Sequence, residues 1–440
     1  MFTCTKCDAQ FPKWSGRCET CQSWGTIQEW ATDRSMKRTR GAAAAKSARL
    51  LDLDETSQVV RIATQDPEVD RVLAGGLVPG CLLLLSGEPG IGKSTLVAQI
   101  ASAISQHTGD VLYISGEESG PQLSSRFKRI GGLHERLSFL DARPIETLVS
   151  TIEKEHPALA IIDSVQTLTS DELDGVAGTP TLVRYATSIL LDLAKRTHIP
   201  IILVGQVTKD GTLAGPKTLE HLVDVVVSLE GDPNHPYRLL RASKNRFGST
   251  EEIGVFEMTQ KGLSAVENPS EKFLSERAAT PGSVITATCE GSRVFLVEVQ
   301  ALVEKTNFGM PIRRASGFDQ NRLQLLSAIL SKRAGLKLGE CDVYVNVVGG
   351  LNLHEPAADL AVCAAVVSAI ENRVEERGVV YIGEVGLGGE IRSVSFLERR
   401  LVEARRLGMT RAVVPARSAD DKLPLSVNGL STVEELKSTS

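Results

Sequence analysis

Gly87, Glu88, Pro89, Gly90, Ile91, Gly92, Lys93 and Ser94 follow one another in this chain, and no other stretch constrains its fold as tightly. An apolar run at residues 81–86 precedes them, and Leu96, Ile100 and Ile104 follow at helical spacing. Strand, glycine-rich loop and helix in that order make a phosphate-binding loop. The glycines let backbone N–H groups converge on phosphate oxygens, and the helix N-terminus adds its positive end. In such a loop Lys93 bridges the β- and γ-phosphates of ATP, and the Ser94 hydroxyl ligates Mg²⁺. Residues 87–94 with Thr95 are therefore the candidate nucleotide-binding set.

Residues 59–266 alternate short apolar runs with helical stretches, which predicts a largely parallel α/β sheet. Runs at 81–86, 111–115, 159–163 and 199–205 read as buried strands. Ligands of open α/β sheets bind at the carboxyl ends of the strands. Those ends deliver Glu117 and Glu118, then Asp163, then Gln206. A carboxylate can polarise an attacking water, an acid can hold Mg²⁺ through water, and an amide can sense the γ-phosphate. Lys93, Glu117 or Glu118, Asp163 and Gln206 are the catalytic candidates, and they describe an ATP hydrolase better than a transfer enzyme.

Four of the eight cysteines lie in two Cys-x-x-Cys pairs, Cys4/Cys7 and Cys18/Cys21, with ten residues between the pairs. Two such knuckles close a tetrahedral thiolate site for Zn²⁺, so a small zinc ribbon is expected. Trp14, Trp24 and Trp30 are expected to pack around the metal, since thirty residues cannot build a core unaided. Cys81, Cys289, Cys341 and Cys363 sit in apolar runs and read as buried free thiols. Residues 31–50 carry six basic side chains against Asp33 alone, the pattern of a flexible tether.

The 440 residues carry a formal net charge of −5, which excludes a globally basic nucleic-acid coat and leaves only local sites. No apolar run approaches the roughly 18 residues of a membrane span, and the first thirty residues lack an apolar secretory core. A cytoplasmic protein with no membrane contact is expected. Asn268-Pro269-Ser270-Glu271 breaks the α/β pattern and marks a boundary. Beyond it, a hairpin around Glu290-Gly291-Ser292, helices near 320–334 and 357–370, and a strand at 342–348 are predicted.

Lys244-Asn245-Arg246-Phe247-Gly248 places two cations one residue apart in an extended segment, so both can face one polyanion, either ATP in a neighbouring subunit or DNA phosphates. These residues, with Asp70–Leu77, Gly116-Glu117-Glu118-Ser119, Val207–Gly211 and Leu219-Glu220-His221, resemble the RecA-type ATPases. The closer resemblance is to the bacterial RadA (Sms) DNA-repair family, over essentially the whole chain. It implies a zinc ribbon (1–30), a basic flexible linker (31–58), a RecA-like ATPase domain (59–268) and a Lon-protease-like α/β domain (269–440). By the resemblance Glu117 is the catalytic glutamate and Asp163 the Walker B acid. Asp8 stands where the family usually has glycine, and Gln206 where it commonly has histidine.

The resemblance further implies a DNA-dependent ATPase of recombination and repair. Its work would be branch migration or unwinding of intermediates on single-stranded and branched DNA. RecA recombinase and a homo-oligomer, a hexameric ring, are the implied partners. Two other readings compete: an ATP-dependent protease of Lon type, and a regulatory RecA-like ATPase. Against the protease, the position of the Lon serine falls on Ala357 and that of its lysine on Arg400. Alanine has no nucleophile, and a guanidinium takes up no proton. Arg313, Arg314, Arg392, Arg399 and Arg405 are the basic residues of this domain offered to DNA.

Overall fold

The computed structural model describes residues 2–4, 10–11, 13–20, 22–29, 60–173, 175–205, 219–231, 237–266, 270–271, 274, 277–306, 309–349, 352–420 and 422–438. Cys7, Asp8, Cys21, Trp30, the linker at 31–58, Gln206 and Val207–Gly211 lie outside them, as do Asn268 and Pro269 of the expected boundary. The chain forms two compact units, Met1–Ala265 and Val266–Ser440.

The first unit begins with a small antiparallel sheet in which β1 (Phe2–Cys4) lies between β2 (Gln10–Phe11) and β3 (Ile27–Glu29). Its core is Cys4, Cys18 and Ile27. Trp14 and Trp24 do not join that core; both are exposed, which corrects the expectation that they pack around the metal. With Cys4, Cys18 and Ile27 filling the interior, two indoles have nowhere to go but out.

The main sheet of this unit has nine strands. β4 (Leu82–Gly87), β5 (Val111–Ser115), β6 (Leu137–Asp141), β7 (Leu159–Asp163), β8 (Ile201–Val204) and β9 (Val225–Glu230) are parallel, in the order β9-β4-β8-β7-β5-β6. Antiparallel β10 (Tyr237–Asn245), β11 (Ile253–Thr259) and β12 (Gly262–Ala265) extend the β9 edge. The central strands are apolar runs because both their faces are covered. One layer buries Leu83, Leu85, Leu96, Ile100 and Ile104, and the other buries Leu82, Leu84, Leu190 and Leu193. β6 escapes prediction because it is a half-exposed edge with no apolar run.

Helix α1 (Pro67–Val72) is capped by Asp66, and α2 (Lys93–His107) follows the glycine-rich loop. α3 (Gly120–Arg129) opens on a Ser119/Gln122 capping box, while α4 (Ile145–Glu155) and α5 (Pro180–Thr197) both end on left-handed histidines, His156 and His198. α2 therefore starts where β4 ends, at the carboxyl edge of the parallel strands.

The second unit is built on a seven-stranded mixed sheet. β13 (Ser283–Glu290) and β14 (Arg293–Lys305) form the expected hairpin. They are joined by β15 (Arg313–Ser316), β16 (Cys341–Val347), β17 (Val379–Tyr381), β20 (Arg411–Pro415) and β21 (Ser426–Leu430), in the order β15-β16-β14-β13-β17-β20-β21. A separate ribbon pairs β18 (Glu384–Val385) with β19 (Ile391–Arg392). Helices α6 (Gln320–Arg333), α7 (Asp359–Ile370) and α8 (Leu397–Arg406) complete it. α7 is buried almost throughout, as its run of Ala, Val and Leu on every face requires. Cys81 and Cys363 are buried as expected, whereas Cys289 and Cys341 are only half-buried, at strand ends.

Candidate nucleotide-binding site

The loop conformation demands its glycines. A Cβ on Gly87 would lie 2.5 Å from the Leu229 carbonyl oxygen on neighbouring β9, and Gly92, at φ +116°, would drive one into the Met258 methyl at 2.7 Å. The loop carries Lys93 to the first position of α2, where its ammonium is buried and donates to the Gly87 and Glu88 carbonyls, each at 2.9 Å. Burial lowers the Lys93 pKa, an effect that nearby Asp163 and Glu117 oppose without reversing. The chain thus holds a desolvated cation beside two acids.

Asp163 ends β7 with its carboxylate buried. It accepts from the Tyr113 hydroxyl at 2.8 Å and from Ser94. Burial raises its pKa, and those two hydrogen bonds work against the rise. Glu117 follows β5, exposed to solvent, and accepts from the Ser164 hydroxyl at 2.6 Å. Glu118, the other candidate from that strand end, is instead paired with Arg126 at 2.6 Å. Gly116 permits this arrangement, since a Cβ there would sit 2.2 Å from the Thr167 hydroxyl.

Lys93, Ser94, Glu117 and Asp163 open on one cavity of about 420 Å³, with Thr95 and Arg126 on its wall. The hydroxyl of Ser94 against the carboxylate of Asp163 is a hard oxygen pair of the type Mg²⁺ takes when bound with phosphate. Gln206, the fourth catalytic candidate, lies outside the described residues, although Val204 at the end of β8 lines the same cavity. Sequence reasoning missed Tyr113, Arg126, Ser164 and the buried Arg238, which donates to the Ile91 carbonyl beneath the loop. Ser164, next to Asp163, was discoverable from position alone; the others become visible only when the strands pair.

The Ser164 bond yields a prediction. Ser164→Ala lowers kcat about tenfold, within the range for one lost positioning contact, and leaves KM for ATP nearly unchanged. Ser164→Thr restores most of the loss. An unaltered kcat in Ser164→Ala removes Ser164 from the site.

Lys244–Gly248 lies at the other end of the sheet. Asn245 pairs with Val225 at the start of β9, whereas Gly87 pairs with Leu229 near its end, a separation of about 13 Å of strand. The two cations do not face outward together as the extended reading expected. A bulge between Ala242 and Lys244 turns Lys244 onto the Glu220 and Val223 carbonyls, at 2.7 and 2.9 Å. Arg246, 57% exposed, lies 3.4 Å from buried Asp224, which also pairs with Lys195. Arg61 bonds both the Leu73 and Phe247 carbonyls, and Gly248 packs against Ala74, so the 70–77 and 244–248 segments meet.

In the ribbon, Cys4 and Cys18 are fully buried together, which fits a thiolate metal site; Cys7 and Cys21 lie outside the described residues. Cys18→Ser is expected to cost the protein its zinc and unfold the ribbon alone, the ATPase core keeping a cooperative melt, because metal binding and folding are one event in such modules. Fewer than about one zinc per wild-type chain, measured by plasma emission, contradicts the assignment.

In the second unit, the segments matched to the Lon serine and lysine converge. Arg400 bonds Glu355 at 2.6 and 2.5 Å, and Ala357 shares a buried cluster with Leu401 and Ala404. Of the arginines offered to DNA, Arg314, Arg392, Arg399 and Arg405 are exposed, Arg392 while paired with Glu390 at the surface, whereas Arg313 is turned onto the Leu338 and Cys341 carbonyls.

A glycine-rich loop of this geometry on a parallel sheet is that of the P-loop ATPases, and residues 44–212 match the family described as AAA domain. Residues 2–29 match the rubredoxin metal binding domain, and residues 318–418 the ChlI subunit of Mg-chelatase. The chain is 44% identical to DNA repair protein RadA of Halalkalibacterium halodurans over 99% of its length and 97% of that protein's. It is 43% identical to DNA repair protein RadA of Bacillus subtilis, covering 100% of this chain and 98% of the other. Against DNA repair protein RadA of Pseudomonas aeruginosa it is 44% identical, with 96% and 94% covered. The chain belongs to the RadA family. No helix among the described residues is long and apolar enough to cross a membrane.

Proposed function

We propose that the protein is a DNA-dependent ATPase of homologous recombination and repair, which uses ATP hydrolysis to drive branch migration or unwinding on single-stranded DNA. The observation that carries the proposal is the convergence of Lys93, Ser94, Glu117 and Asp163 on one cavity. In this reading the 87–92 backbone cradles the phosphates, Lys93 offsets charge that develops on the γ-phosphoryl, and Glu117 orients the attacking water. Ser94 and Asp163 would hold Mg²⁺, whose charge supports in-line displacement. RecA as partner and a hexameric ring belong to the same proposal, and kinship with proteins named for DNA repair supports the DNA-repair setting in which they would act.

The placement of Lys244–Gly248 favours action away from the subunit's own nucleotide, on DNA or on a neighbour's ATP. Arg246, the more exposed cation, is the residue suited to a polyanion, and Lys244 shapes the segment that presents it. Arg246→Ala should leave ATP binding intact and flatten the dependence of log DNA affinity on log salt by about one. Lys244→Ala should lower the melting temperature as well. An unchanged slope with normal ATPase activity makes the motif purely structural.

The deciding experiment measures ATP turnover with and without single-stranded DNA, then heteroduplex extension in a strand-exchange assay with and without a RecA filament. Stimulation together with ATP-dependent extension is expected. Turnover indifferent to DNA would favour the regulatory reading, and ATP-dependent casein cleavage the protease.

A further inference from the structure

Trp14 and Trp24 are 62% and 75% exposed, the two most exposed aromatic side chains among the ribbon's described residues, and neither belongs to its core. They sit on neighbouring segments: Arg17 pairs antiparallel with Trp24, and the Gly25 amide donates to the Gly16 carbonyl at 2.9 Å. Trp14 is held in place by its indole N–H, which donates to the Ile27 carbonyl at 3.1 Å. Gly16 lies between the two. A Cβ at that glycine would touch both indoles, Trp24 at 3.8 Å and Trp14 at 3.9 Å, so the rings border one slot whose floor carries no side chain. The Arg17 guanidinium, fixed by bonds to Gln22, stands 5.8 Å from the Trp24 ring centre, and Lys13 is exposed beside Trp14.

We propose that Trp14 and Trp24 form a stacking platform for unpaired bases of single-stranded DNA, with Lys13 and Arg17 toward its phosphates. The proposal rests on the reading that this protein works on DNA. Exposed flat rings interleaved with cations are what a single strand uses, because every base offers a π face and every linkage a charge. A protein-binding hot spot would need a closed apolar patch around its aromatic anchor. Here the neighbours are Lys13, Arg17, Gln22 and Gly25, all exposed. The sequence that follows, residues 31–50, carries six basic side chains against one acid.

The three tryptophans of the chain are Trp14, Trp24 and Trp30, so the indole emission of the whole protein reports on the ribbon alone. The test titrates full-length, zinc-loaded protein with a thymidine 20-mer, following emission and, separately, the anisotropy of labelled oligonucleotide. Saturable quenching is expected. Trp14→Ala and Trp24→Ala each weaken binding about tenfold, in keeping with the loss of one base–aromatic stack. Both variants keep their zinc and their DNA-free ATPase rate. The Trp14→Phe/Trp24→Phe variant retains most of the affinity and loses most of the quenching. Oligonucleotide binding with unchanged emission, or alanine variants with wild-type affinity, overturns the proposal while leaving the DNA-dependent ATPase standing. No binding by anisotropy overturns both.

Discussion

Lys93→Ala should reduce ATP turnover by a factor on the order of a thousand, the range seen when one preorganised donor is removed from a developing oxyanion. The structure shows why nothing nearby can substitute. The Lys93 ammonium is desolvated, and among the described residues that open on the cavity the only other cation is Arg126, which is paired with Glu118. Without the ammonium, Asp163 and Glu117 face the γ-phosphate with their repulsion uncompensated. The Gly87 and Glu88 carbonyls also lose their donor, so the loop itself should loosen. Nucleotide binding should weaken far less than turnover, because the backbone N–H cradle and helix end remain. A Lys93→Ala protein that keeps more than about a tenth of wild-type kcat would contradict this account, measured with a binding control using a fluorescent ATP analogue.

The parts of this molecule legible in advance are those whose chemistry is local. A glycine-rich loop between an apolar run and a helix announces itself, and the chain enters α2 at Lys93 as that pattern requires. Strands 111–115 and 159–163 were readable because both faces are buried, which leaves unbroken apolar runs. β6 and the antiparallel β10–β12 extension were not, since β6 is an edge that exposes its side chains and β10 alternates buried with half-buried positions. Within the site, strand ends place Asp163 but leave Glu117 and Glu118 open; the family resemblance chose Glu117, and the physical difference, the pairing of Glu118 with Arg126 of α3, is visible only in the structure. Lys244 shows the limit of side-chain alternation. One bulge redirects a cation from solvent to carbonyls, and no spacing argument foresees a bulge. The tryptophans failed for a different reason: composition says that a small module needs core, but not that its cysteines already fill it.

The second large effect concerns Arg400, where the Lon family places its lysine. Its side chain is 2% exposed; it forks onto Glu355 and also donates to the Ala287 carbonyl at 2.6 Å and the Ser395 carbonyl at 3.1 Å. Glu355 additionally accepts from the Cys289 amide at 2.8 Å. Arg400→Ala leaves the Glu355 carboxylate without its counter-ion and takes a donor from two carbonyls, a type of loss that costs about 3–5 kcal/mol. For a unit of this size that lowers its melting temperature by roughly 10–15 °C. The pH dependence should also change. Burial pushes the Glu355 carboxyl up, but Arg400, with the Cys289 amide and Thr288 hydroxyl, more than offsets it and holds the pKa below the ordinary carboxylate value. In the wild type, Glu355 therefore contributes stability that is present at neutral pH and lost only as acid brings the pH down through its folded pKa. In Arg400→Ala burial still pushes the carboxyl up and only the Cys289 and Thr288 bonds oppose it, so the variant's deficit should shrink as the pH falls from neutral toward the ordinary carboxylate range. Arg400→Lys keeps the charge without the fork and should recover part of the stability. The same pair makes Ala357→Ser inert toward casein, because a guanidinium locked by a carboxylate cannot take the serine proton. Equal melting temperatures for wild type and Arg400→Ala, or cleavage by Ala357→Ser, would remove the pair from its place as the structural replacement for a catalytic dyad.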